Sequence, residues 1–147
     1  MDYSVMGKVI VTAKIESLED LYKSESGVLP IDQVRTVEGT DALMDTGASA
    51  LSMPKRLIAQ LGLITLHTRK ARTSAGPVTL QVFGTVRLSI QGRECPCDVV
   101  ELPDDCPVLV GQLPLEAMDW VVDCANQRLI GNPAHGGEEM YESFLLD

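Results

Sequence analysis

Asp45-Thr46-Gly47 is the tripeptide in this chain best suited to chemistry, and it occurs once. The apolar run Ala42-Leu43-Met44 leads into it, and the small residues Ala48-Ser49 follow. An apolar strand running into a small-residue turn would carry the Asp45 carboxylate to the strand's end, and a carboxylate can activate a water as a general base. Gly47 has no Cβ, so backbone can approach a ligand closely. Thr46 adds a hydroxyl able to bond to nearby backbone. Water activation of this kind uses carboxyl groups in two roles, general base and general acid. Two carboxylates at contact distance cannot both ionise, so they share one proton, and the protons titrate as a property of the pair. One motif per chain therefore suggests two chains meeting, each contributing an Asp45. The tripeptide also reads as an ordinary turn, since Asp and Gly are both turn residues.

A second segment bears on that choice. Val108-Leu109-Val110-Gly111 is an apolar run ending in glycine. Gln112 to Met118 then reads as a short helix, and Asp119-Trp120-Val121-Val122-Asp123 as a strand. With these motifs in this order the chain resembles the retropepsin family, the single-domain aspartic peptidases of retroviruses and their cellular relatives. The residues that carry the resemblance are Leu43-Met44-Asp45-Thr46-Gly47-Ala48, a hairpin near Ser74-Ala75-Gly76-Pro77, and Leu109-Val110-Gly111. It spans roughly Gly7 to Asn132, most of the chain.

The resemblance implies an all-β, closed, barrel-like fold with a flap hairpin and one or two short helices. It implies hydrolysis of peptide bonds by water held between two Asp45 carboxylates of a homodimer, with Thr46 and Gly47 building the scaffold and without metal or organic cofactor. Ala48 and Ser49 would face the substrate backbone, and Val110 and Gly111 would help wall the pocket. Ser74, Ala75 and Gly76 would form the tip of a flap that closes over an extended peptide, which then joins a sheet edge. Two departures concern the substrate. Ser49 and Ala50 stand where retroviral enzymes carry acidic residues, and Pro77 replaces part of a glycine-rich tip and removes one N–H.

Composition supports a single domain. The chain has 147 residues, enough for a real core. Aromatic residues are 4%, so the core should be built from Val, Leu, Ile and Met. Twelve Lys and Arg against 21 Asp and Glu give a net charge of −9. Such a chain repels phosphate backbones, which argues against nucleic acid and anionic membranes as partners. No run approaches the ~20 apolar residues of a membrane span. Met1 to Met6 lack the basic and apolar regions of an export signal, so the expected location is cytoplasmic, with reduced thiols. Cys95-Pro96-Cys97 is too tight for the usual two-residue zinc knuckle, and no His pair completes it. His67 and His135 have no Cys, Ser or Asp constellation in the sequence, which disfavours an enzyme built on Cys or His.

The elements that must position these groups are mostly short strands. Lys8 to Ile15 alternates and is rich in β-branched residues. Ser17 suits an N-cap for a helical turn to Tyr22, with Asp20 at the third position. Lys23 to Pro30 reads as a loop and Ile31 to Val37 as a strand, so that Glu16 to Gly39 forms an elaboration before the catalytic strand. Ser52 to Gly62 reads as a helix, with Pro54 in its first turn and Gly62 just past its end. His67 to Val82 is a hairpin, Val78 to Ile90 a long strand with Gly84 as a kink, and Glu94 to Leu102 the return. Residues 1–135 are assigned to the peptidase-like domain. Residues 136–147 form an acidic and apolar tail, either frayed or, through Tyr141 or Phe144-Leu145, able to enter a cleft.

These readings converge on an aspartic endopeptidase that acts as a homodimer on an extended peptide or protein. The competing reading keeps the fold and the dimer but makes it a non-catalytic peptide-binding or assembly module.

Overall fold

The computed structural model describes residues 8–141. Met1 to Met6 and the Phe144-Leu145 pair of the tail lie outside the described residues. Among the described residues nine strands, three short α-helices and two 3-10 turns follow one another. The architecture is mostly β, as expected from the sequence, with three short helices where one or two were expected.

Six strands close into a barrel. Strand β1 (Val9–Ser17) pairs antiparallel with β2 (Thr36–Met44), and β2 runs parallel to β7 (Leu109–Val110). On its other side β7 is antiparallel to β3 (Leu51–Pro54), which runs parallel to β6 (Arg93–Leu102). Strand β5 (Gly76–Ile90) pairs with β6, and its second half returns to β1 through the register Lys14↔Ser89 to Ser17↔Val86. Glu16 and Arg87 face each other across that closing seam, and the Arg87 Nη2 donates to the buried Glu16 Oε1 at 2.9 Å. β5 changes register against β6 between Phe83 and Val86, which places the irregularity at Gly84. Strand β4 (Ile64–Thr73) leaves the barrel and pairs along its length with the first half of β5.

The interior is aliphatic, as the scarcity of aromatics predicts. Ile15, Leu51, Met53, Leu61, Leu88, Leu115 and Met118 are among the fully buried side chains. Each contributes about 1.5–3 kcal/mol relative to an exposed position. Helices α2 (Lys55–Leu61) and α3 (Gln112–Ala117) add Ile58, Leu61 and Leu115 to that core.

Two expectations are corrected here. Ser52 to Pro54 is not the start of a helix. Leu51 to Pro54 is a strand buried at all four positions, because it lies between β7 and β6 inside the barrel wall, and the helix begins at Lys55. Gly62 does cap that helix, at φ 62°. Ile31 to Val37 is not one strand either. Ile31–Gln33 is a 3-10 turn, and β2 begins at Thr36 and runs straight into the loop that starts at Asp45.

The preceding elaboration holds α1 (Leu18–Glu25), whose cap is the expected one: Asp20 N donates to Ser17 Oγ at 3.2 Å. Asp20 then accepts two hydrogen bonds from the Arg35 guanidinium, at 2.8 and 3.0 Å, and one from Arg35 N at 3.0 Å. The same guanidinium lies over Gly62, where a Cβ would collide with it. The segment between β1 and β2 is thereby clamped onto the end of α2.

Candidate active site

The loop from Asp45 to Ala50 leaves β2 and returns in β3, straddling the end of β7, which lies between those two strands. Its position follows from backbone hydrogen bonds. Asp45 N donates to Val110 O at 2.9 Å, and Gly111 N donates to Ala50 O at 3.0 Å. Gln112 N and Leu113 N donate to Ala48 O and Ser49 O at 2.8 and 3.1 Å. Both ends of the loop are thus stitched to the segment 110–113. A Cβ on Gly111 would lie 2.6 Å from Ala50 N and O, so glycine is the residue that permits this approach.

Asp45 is half-buried at the start of this loop. Gly47 N donates to its Oδ1 at 3.0 Å, and Ala48 N to its main-chain O at 3.1 Å. The other carboxylate oxygen, Oδ2, is buried and has no hydrogen-bond partner within the described residues. A buried unpaired carboxylate oxygen is costly, and native structures normally satisfy such an atom. Thr46 and Gly47 are exposed at the loop's tip, and the Thr46 hydroxyl is without a side-chain partner among the described residues.

Beside the loop lies a cleft of about 410 Å³. Gly47, Ala48, Ser49 and Ala50 form one side, and Arg69 to Arg72 of β4 with Leu80 of β5 form the other. Val100, Leu102 and Leu109 contribute an apolar wall. The hairpin tip is tied by its own side chain: Thr73 Oγ1 donates to Gly76 O at 2.8 Å and accepts from Ala75 N at 3.2 Å. Gly76 sits at φ 111°, in the region that favours glycine.

The site residues expected from sequence fall into three groups. Asp45, Thr46, Gly47, Ala48 and Ser49 share the loop, and Gly111 braces it. Val110 is fully buried in the core, while its neighbour Leu109 lines the cleft. Ser74 and Ala75 are exposed at the hairpin tip, and neither they nor Gly76 lines the cleft within one protomer. Sequence reasoning missed Arg69, Lys70 and Arg72, although a basic run in an acidic chain was a visible signal. It also missed Leu80 and Leu102, which only the pairing of distant strands brings to the loop.

A family model described as aspartyl protease matches residues 31–115, more than half of the chain. The match takes in the Asp45 loop, the β4–β5 hairpin and the Gly111 brace. No curated protein matches the chain. On this evidence the chain belongs to the retropepsin-like aspartyl protease family.

Proposed function

We propose that this aspartyl protease family member is an endopeptidase whose active site forms when two chains associate and bring two Asp45 carboxylates together. The observation that carries the proposal is the buried, unpartnered Oδ2 of Asp45 beside a loop whose ends are hydrogen-bonded to the segment 110–113. A second carboxyl, sharing a proton, and the water between the pair supply the partners that this oxygen lacks. The exposed Thr46-Gly47 tip suits a two-fold contact in which the same surface meets itself.

In this reading the ionised carboxyl takes a proton from the water as it attacks the scissile carbonyl. The protonated carboxyl donates to the carbonyl oxygen, giving a tetrahedral intermediate without a covalent enzyme adduct. Collapse of that intermediate moves a proton to the leaving amine and releases both products. The β4–β5 hairpin acts as the flap, with Ser74, Ala75 and Gly76 closing over the extended peptide. Ala48 and Ser49 meet the peptide backbone, and Leu80, Leu102 and Leu109 receive its apolar side chains. One carboxyl must remain protonated, so activity is expected to be highest at mildly acidic pH.

Among the described residues no helix is long and apolar enough to cross a membrane. Among the described residues Cys95, Cys97, Cys106 and Cys124 form no disulfide. A reducing, cytoplasmic setting is the location we favour, because it keeps thiols reduced.

The test is digestion of a mixed peptide library, read by mass spectrometry from acid to neutral pH at high protein concentration. Asp45→Asn is the control. Cleavage between apolar residues that disappears in the variant is the expected result. A dimeric chain that binds peptides but cleaves none at any pH would overturn the catalytic reading in favour of a binding module.

A further inference from the structure

Charge is distributed unevenly between the hairpin and the rest of the molecule. The β4–β5 arms from Ile64 to Gly84 contain three bases, Arg69, Lys70 and Arg72, and no acid. The remainder of the chain holds the other 9 of 12 bases against all 21 acids. None of the three hairpin cations has an ion-pair partner among the described residues. By contrast Lys14, Lys23, Arg35, Arg87 and Arg128 are each paired with a carboxylate. All three are among the residues that line the cleft beside the Asp45 loop, together with Val100, Leu102 and Leu109.

Three unpaired bases bordering one cleft create a local positive potential inside a negative surround, which draws anionic groups and steers them inward. The two guanidinium groups can also bind a carboxylate through paired N–H donors. The adjoining wall favours aliphatic side chains. We infer that this cleft selects peptides with acidic side chains flanking an apolar scissile pair, and that Arg69, Lys70 and Arg72 determine that specificity. The inference rests on the peptidase reading for the words "scissile pair", but the charge preference stands on the cleft alone.

The test separates the two. Full-length chain carrying Asp45→Asn is titrated with fluorescent peptides that share one apolar centre and differ only in flanking Glu, Gln or Lys, and binding is read by anisotropy. The Glu peptide is expected to bind roughly tenfold more tightly than the Gln peptide and the Lys peptide most weakly, from exposed ion pairs of modest individual worth. The preference should shrink as salt rises from ~0.05 to ~0.5 M, where screening shortens the reach of charge. Replacing Arg69, Lys70 and Arg72 together with Gln should remove the order while the Gln peptide still binds, which also shows that the variant is folded. Equal affinity for Glu and Gln peptides, or an unchanged preference in the triple variant, overturns the inference. Cleavage by the unmodified chain is scored separately: acidic preference without cleavage defeats only the peptidase reading, and cleavage indifferent to flanking charge defeats only the specificity.

Discussion

Gly111 lies against the backbone of Ala50 so closely that a Cβ would stand 2.6 Å from both its N and its O. Gly111 N donates to Ala50 O at 3.0 Å across the same contact. The contacting atoms are backbone, which cannot swing aside as a side chain can. Gly111→Ala is therefore expected to push the end of the Asp45 loop away from β7 and to lower stability by about 2–4 kcal/mol. Chemical denaturation of the variant measures this directly. An alanine variant of wild-type stability would show that the contact is slack and that the loop is not held by it.

The pair of Asp20 and Arg35 gives the segment between β1 and β2 a structural task with a pH signature. Hydrogen bonds from the Arg35 guanidinium hold the Asp20 carboxyl below its ordinary value, against the opposing effect of burial. A depressed carboxyl contributes stability that is present above the unfolded value of about 3.9 and is lost as pH falls through the folded one. Arg35 is 45% exposed, so the lower end of the range for a charged hydrogen bond applies, about 1.5 kcal/mol. Asp20→Asn should lower the melting temperature by roughly 3–6 °C at neutral pH. The gap between variant and parent should close in acid below about pH 4. A gap that persists unchanged at pH 2 would mean that shape, not charge, is what Asp20 supplies.

What could be read from the sequence was local. Asp45-Thr46-Gly47, the Gly111 ending of β7 and the hairpin around Ser74 each carry their signal within a few residues. Ser17 and Asp20 announced a helix start for the same reason. Leu51 to Pro54 misled because a strand buried on both faces loses its alternation, and its Pro54 mimics a helix opening. Its partners, such as Val99 opposite Leu51, lie far along the chain. The clamp of Arg35 on Asp20 and over Gly62 joins three distant positions, so the preceding segment looked like idle insertion. Val110 and Leu109 differ only in which way the strand faces, and the loop's hydrogen bond to Val110 O fixes that only in three dimensions.

Asp119 anchors the C-terminal segment. It sits buried at φ 58°, with its Oδ2 2.7 Å from His135 Nδ1 and accepting from Met140 N at 3.1 Å. Its Oδ1 accepts from Asn132 Nδ2 at 3.1 Å, while Arg93 reaches Gly137 O at 2.7 Å and lies 4.0 Å from the centre of the Trp120 ring. The bond to His135 leads the causes that hold the Asp119 carboxyl below its ordinary value. That contribution is present above the ordinary aspartate range and lost as pH falls through the lowered one. Asp119→Asn tolerates the left-handed backbone but removes the charge. Faster amide exchange in residues 132–140 at neutral pH, with little change in β1 or β5, is the expected outcome. Equal exchange in variant and parent would show that the charge of Asp119 is not what holds the segment.

A shared active site makes a quantitative demand on mixtures of chains. If each site needs one Asp45 from each protomer, a chain with Asp45→Asn disables its partner as well as itself. Adding an equal amount of that variant to a fixed amount of parent, with subunits allowed to exchange, leaves about half of the parent dimers intact by random pairing. Activity should fall to about half, and excess variant should drive it toward zero. Dilution of the parent alone should lower activity per chain as dimers dissociate. Activity that is indifferent to added variant and linear on dilution would place the whole reaction within one protomer, leaving the buried Oδ2 of Asp45 to be satisfied by some other group.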